Sequence, residues 1–319
     1  MPVRCVRLER LRRLIAFAVL SVIPLAGVDD QRTATAAGPV RVAMKNVFYH
    51  FSDSIAVHII ELQGQLIPTK PPQIVIFDDK DSFKLAFRYA QIAISADSLA
   101  NVLNQRVFAA SDAPIKDLVI QSTGNIVVVK GTLHRQGNIS FETTGTLATT
   151  SDGRIRLHAQ HVKAAHLPVK GLMDLLGIEI AKLINTKQVS GVTAEKDDLI
   201  LDPQLILPPP RIEGRVTAVQ IVGNEIVQTF GQKGDANFAE GLRGNYMAYR
   251  DNELQFGKLT MHDTDMILID MDPQDPFDFY LDHYKDQLVA GYSKTTPTFG
   301  LRVYMRDFNK LKSAAKVSH

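Results

Sequence analysis

Apolar and polar positions alternate with a period of two over much of this chain, and that pattern predicts strands. Val40, Val42, Met44 and Phe48 alternate with Arg41, Lys45 and other residues, while Phe83, Leu85, Phe87 and Tyr89 alternate with Lys84, Ala86 and Arg88. In the second run the apolar parity switches to Ala90, Ile92 and Ile94 opposite Gln91, as a bulge or burial of both faces would produce. Further strands are expected over 55–67, 115–122, 125–135, 138–149, 153–165, 211–222 and 225–230. Turn residues such as Thr123-Gly124-Asn125 and Ser151-Asp152-Gly153 separate many of them, so consecutive hairpins in an antiparallel meander are expected.

Two segments break the alternation with helical spacing. Ser95 is placed to cap a helix over 96–107, with Asp97 in the first turn and Ala96, Leu99, Val102, Leu103 and Val107 on one face. From Pro168, suited to a first helical turn, Val169, Leu172, Met173, Leu176, Ile180, Leu183 and Ile184 form a stripe at i, i+3, i+4 spacing. Leu175 and Ile178 lie off that stripe, so the second helix is apolar over more of its circumference than packing on one sheet requires. Burial between two layers accounts for this, and so does a face lining a lipid cavity.

The first 36 residues read differently. MPVRCVRLERLRR carries five arginines, Leu14 to Val28 is an apolar run of 15 residues containing Pro24, and Ala34-Thr35-Ala36 supplies small side chains for cleavage. This predicts a signal peptide over 1–36, removed near Ala36, and a periplasmic or secreted mature protein of the cell envelope. The run is short for a membrane span, which needs about 20 residues. The chain's single cysteine, Cys5, would leave with the leader, so no disulfide is expected in the mature chain. Val28 follows Leu25-Ala26-Gly27 where an acylated cysteine would have to stand, which excludes a lipid anchor by that route. Removing six Lys/Arg and three Asp/Glu takes the formal charge from +2 to −1. Nucleic acid is therefore not an expected partner, since phosphate binding needs a clear basic excess.

The succession FRYAQIAISADSLANVLNQRVF, then IVVVKGTLHRQGNISFETTGTLATTSDGRIRLHAQHV, then PVKGLMDLLGIEIAKLI and ILDPQLILPPPRIEGRVTAVQIVGNEIVQTF resembles the LmeA-like phospholipid-binding family over roughly 85–230. That family is similar to the tubular lipid-binding (TULIP) proteins. The resemblance implies an α+β fold in which a long curved antiparallel sheet wraps amphipathic helices and encloses an apolar groove. It further implies a non-catalytic partner for phospholipid or another acyl lipid. On this reading the domains are the leader, a TULIP-like domain over 37–230, and a strand-rich extension over 231–319 packed on it, ending in a flexible tail. The strands over 40–84 and the extension lie outside the resemblance. The lipid-contacting residues it suggests are Leu99, Leu103, Leu172, Leu175, Leu176 and Ile178.

The chemistry-bearing clusters are sparse. Between Met261 and Tyr284 stand Asp263, Asp265, Asp270, Asp272, Asp275, Asp278 and Asp282, with His262 and His283 but no Lys or Arg. Such carboxylates can collect calcium, but the spacing lacks the central glycine and terminal glutamate of an EF-hand, and solvated strand faces with Asp-Pro turns are the expectation. His158 and His161 would fall on opposite faces of a regular strand, with His166 beyond them, so zinc is not expected. GxSxG, HExxH, P-loop and Rossmann signatures are missing, and no catalytic residue, metal or cofactor is assigned. Two further function classes remain: an envelope scaffold with a filled core that pairs with another protein, and a metal-assisted hydrolase built on the acidic extension.

Overall fold

The computed structural model describes residues 38–70, 74–134, 138–164, 167–168, 189–234 and 237–317. In chain order the first strands are β1 (Val40–Ser52), β2 (Ile55–Pro68), β3 (Val75–Ile76) and β4 (Phe83–Ser95). There follow β5 (Ile115–Thr123), β6 (Ile126–His134), β7 (Asn138–Thr149), β8 (Ile155–Ala164), β9 (Leu167–Pro168), β10 (Val192–Glu195) and β11 (Asp198–Leu201). Then come β12 (Arg211–Glu213), β13 (Val216–Val222), β14 (Glu225–Gly231), β15 (Tyr246–Arg250), β16 (Leu254–Phe256) and β17 (Leu259–Met261). The last are β18 (Asp265–Asp270), β19 (Phe277–Tyr280), β20 (Tyr292–Thr295) and β21 (Leu301–Met305). Among the described residues helices are few and short: α1 (Ala96–Val102), α2 (Pro203–Ile206), α3 (Tyr284–Val289) and α4 (Phe308–Val317). The fold is sheet-rich α+β with large antiparallel sheets. Among the described residues, no helix is long and apolar enough to cross a membrane.

The strands form two large sheets and a small one. The first has the order β13-β14-β4-β2-β1-β15-β18-β21-β20, with β12 beside β4 and β19 beside β1. The second has the order β10-β11-β8-β7-β6-β5, with β9 on β8, and β5 to β8 are the expected antiparallel meander. The first sheet is not a meander. Its pairs β1·β19, β4·β12 and β18·β21 are parallel, and strands beyond residue 231 are built into the sheet of the first 95 residues through β1.

Asn46 makes that insertion possible. One edge of β1 pairs antiparallel with β15 up to Lys45 and parallel with β19 from Val47 onward. At the changeover Asn46 takes φ 52°, a left-handed conformation that Asn tolerates better than most residues. Its side chain donates to Asn245 Oδ1 at 2.8 Å, and its Oδ1 lies 2.8 Å from His58 Nε2. Asn245 in turn donates to Asp270 Oδ2 at 2.8 Å, so a polar seam runs beneath the junction.

The parity switch in β4 is a bulge. Phe87 pairs with Gly64 and Tyr89 with Gln63, leaving Arg88 as the extra residue. Glycines stand against the β4 backbone on both neighbouring strands. A Cβ on Gly64 would lie 2.3 Å from the Ala86 carbonyl oxygen, and one on Gly231 would lie 2.1 Å from that of Arg88. Only residues without a side chain fit beside the bulged strand.

Ser95 caps α1 as expected, its Oγ accepting from Ser98 N at 3.0 Å. The helix does not run regularly to 107. Residues Leu103–Val107 form a π turn instead, with Phe108 N donating to Leu103 O. Asn104 ties this turn to β5, donating to Leu118 O at 2.8 Å and accepting from Leu118 N at 2.9 Å, beside a β5 irregularity at Asp117. Pro168, the predicted start of the second helix, instead ends the short strand β9, and the rest of that helix, with Leu172, Leu175, Leu176 and Ile178, lies outside the described residues.

Candidate functional site

The meander β5 to β8 turns one face inward, and its alternation writes that face in apolar side chains: Ile115, Leu118 and Ile120; Val127 and Val129; Phe141 and Leu147; Leu157 and Ala159. Against them stand Leu99 of α1, Leu103 of the π turn, Phe108 and Ile226 of β14. Packing leaves a cavity of about 100 Å³, set in about 1070 Å³ of atom-free space that includes its open side. The other walls come from Val162, Ala164, Val192, Leu199 and Leu201. Leu99 and Leu103, the two residues of the expected lipid-contacting set that lie within the described segments, both line this cavity.

Two polar residues share the lining, Thr143 and Asp197. The Thr143 side chain is buried and its Oγ1 has no hydrogen-bond partner. An unmet buried hydroxyl costs about 1–3 kcal/mol, so this is a polar point on an otherwise greasy wall. Thr143 was legible as an inward position from the spacing Phe141, Thr143, Gly145, Leu147, but its chemistry gave no signal on its own.

No family model, curated protein or solved structure matches this chain. The functional reading therefore rests on the site itself.

The acidic run in the extension is only in part the solvated face expected from its sequence: Asp263, Asp275 and Asp282 are exposed, but two members are buried. Asp270 and Asp278 are 5% and 6% exposed. Long-range contacts supply partners missing locally: Arg302 and Arg250 approach Asp265 at 3.1 and 3.6 Å, Lys80 approaches Asp282 at 3.5 Å, and the His50 ring nitrogen Nε2 lies 2.5 Å from Asp278 Oδ1. Lys310 of α4 meets Asp272, Asp275 at 3.2 Å and the buried Asp307 at 3.0 Å. The Lys310–Asp307 approach is an ion pair out of hydrogen-bond alignment, which leaves Asp307 Oδ2 without a hydrogen bond. Burial raises the pKa of Asp270 and Asp307 above the ordinary carboxylate value, with hydrogen bonds from Asn245 and from the Asp278 backbone opposing it. An ammonium group thus occupies the centre of the carboxylates that a divalent ion would need. Among the described residues, no group of three or more potential ligands is arranged to hold a metal ion.

The strand histidines also depart from the expectation. β8 carries a register shift between its pairings with Thr144 and Gly145, which leaves Gln160 as an extra residue. His158 and His161 consequently both sit at exposed positions instead of on opposite faces. His158 Nδ1 lies 2.6 Å from Asp198 Oδ1 and His161 Nδ1 lies 3.4 Å from Thr144 Oγ1. Their partners are a carboxylate and a hydroxyl, each within its own strand pair.

Proposed function

We propose that this is a non-catalytic lipid-binding or lipid-transfer protein that holds acyl chain in the cavity between the meander and α1. The observation that carries the reading is the lining: about twenty side chains of which all but Thr143 and Asp197 are apolar, as sites for apolar ligands are. Such a wall gives an acyl chain the transfer free energy of about 0.8 kcal/mol per buried CH₂. The TULIP-like wrapping and the phospholipid class belong to this proposal, on the resemblance over 85–230. So does export, on the leader over 1–36; exported material should begin near Ala37 by N-terminal sequencing.

The test is fluorescent phospholipid uptake by delipidated protein, with Thr143→Leu and Ala159→Leu combined to fill the cavity. Uptake should fall about tenfold or more while the melting temperature holds or rises, because the added methylenes occupy empty space and one unmet hydroxyl is removed. Absence of uptake by the unmutated protein, or equal uptake by the filled variant, would remove the proposal.

One observation favours a scaffold as the second reading. β20 is the free edge of the first sheet, fully exposed along its four residues, and Phe299 nearby is 93% exposed. Its brevity and Lys294 are features that blunt strand addition, which leaves this reading behind the first.

A further inference from the structure

A second cavity lies on the inner face of the first sheet, distinct in its walls from the one between the meander and α1. It measures about 60 Å³ within about 680 Å³ of atom-free space, its open side included, and no residue lining it lines the first. Aromatic rings dominate it: Tyr49 and Tyr249 with Phe51, Phe77, Phe87 and Phe279, closed on one side by Leu207 and Pro210 of the connector that leads into β12. Phe77 holds the group together, its ring centroid 5.7 Å from that of Tyr249 and 6.1 Å from that of Phe279, which in turn is 5.8 Å from that of Tyr49.

The phenols are the unusual feature. Tyr49 and Tyr249 are 9% and 2% exposed, and among the described residues neither hydroxyl makes a hydrogen bond; neither is among the fully sealed polar atoms, so each still touches open space. The neighbouring Tyr284, by contrast, donates to Asp78 at 3.2 Å. Buried tyrosine hydroxyls usually find a partner, and leaving two unmet in one cavity disfavours folding unless something else meets them. Burial, which acts first, and then the nearby Asp282 carboxylate raise the pKa of Tyr49; burial and then Tyr49 raise that of Tyr249. Both rings are thus neutral donors at physiological pH.

We propose that this second cavity is a binding site for a neutral, largely apolar molecule that presents carbonyl oxygen to the two phenols. The lining has no Lys, Arg or His among the described residues to compensate an anion, so a carboxylate or phosphate would enter at the full cost of its desolvation. A pure hydrocarbon would leave both hydroxyls as they are. A carbonyl on an apolar body, as in an ester, ketone or quinone, fills the aromatic space and accepts from phenol without bringing a donor that must itself be satisfied.

The test uses acetophenone beside ethylbenzene, which matches it in size and lacks the oxygen, with binding to the full mature chain followed by calorimetry and by ligand-detected NMR. Acetophenone should bind about tenfold more tightly than ethylbenzene, the order expected for a buried hydrogen bond. That preference should fall toward parity in Tyr49→Phe with Tyr249→Phe, which keeps both rings and whose melting temperature should hold or rise. Filling the first cavity with Thr143→Leu and Ala159→Leu should leave acetophenone binding unchanged, which separates this site from the lipid reading. Equal affinity for the two probes, a preference that survives the double Phe variant, or a crystal soaked in acetophenone that shows water alone against the phenols would overturn the proposal.

Discussion

Replacing Gly64 by Ala isolates the demand that the β4 bulge makes on its neighbour. The new Cβ would sit 2.3 Å from the Ala86 carbonyl oxygen and 3.3 Å from its carbon, both backbone atoms. Contacts under 3.0 Å are not sustained, so β2 and β4 must part locally by at least about 0.7 Å. β4 cannot yield easily, because Lys84 to Ala86 pair with β12 on one side while β2 pairs with them on the other. A ladder bond of about 2.9 Å stretched by that amount leaves the hydrogen-bond range. One lost bond and an under-satisfied buried partner cost about 2–3 kcal/mol, at the upper end of what overpacking does. Urea unfolding should therefore show a lower midpoint at an unchanged slope. Gly124→Ala is the control: its Cβ meets nothing within 4 Å, and only the φ of 59° opposes it, at about 1–2 kcal/mol. A Gly64→Ala protein no less stable than the Gly124→Ala one would refute the steric argument.

Two further outcomes concern the extension. Asp270 and Asp307 have pKa values raised by burial, so the stability they lend is full below the unfolded carboxylate value and is lost as pH rises through the folded value. Thermal unfolding of wild type against Asp270→Asn with Asp307→Asn should show the wild type gaining on the variant as pH falls from about 7 toward about 4; a constant or opposite difference would contradict the burial argument. Lys310→Ala should lower the melting temperature more than Lys312→Ala, since Lys310 faces the buried Asp307 as well as Asp272 and Asp275, whereas Lys312 meets the exposed Asp53 at 3.2 Å and lies over the Phe308 ring. Equal effects of the two substitutions would show that the buried carboxyl does not depend on that ammonium.

Strand positions were legible because a half-buried strand writes its burial directly into alternate residues. The bulge at Arg88 was legible for the same reason, since it shifts the parity between Tyr89 and Ala90. The shift at Gln160 leaves a similar trace, apolar Ile155, Leu157 and Ala159 giving way to Val162 and Ala164, but it is masked by two adjacent polar residues, Gln160 and His161. Sheet order was equally hidden: nothing in the sequence of β1 indicates whether its neighbour is β2 or a strand two hundred residues on. At the site, Leu99 and Leu103 followed from helical spacing, and the helix survived only as far as Val102 because Asn104 trades regular geometry for a clasp on Leu118. The acidic run was only partly readable because its countercharges, Arg302, Lys80 and Lys310, are near in space and remote in sequence.

The split edge of β1 also sets an order of events. A chain made from its N-terminus completes β1, β2 and β4 early, yet the far side of β1 keeps unpaired backbone groups until Tyr246–Arg250 and Phe277–Tyr280 have been synthesised. Until then a long apolar strand presents an open template to any passing strand, its own or another chain's. Closure waits on contacts of very high sequence separation, which are slow to form. Closing that edge thus waits until residue 280 has been made, and a chain stopped short of residue 246 would keep an open, adhesive rim.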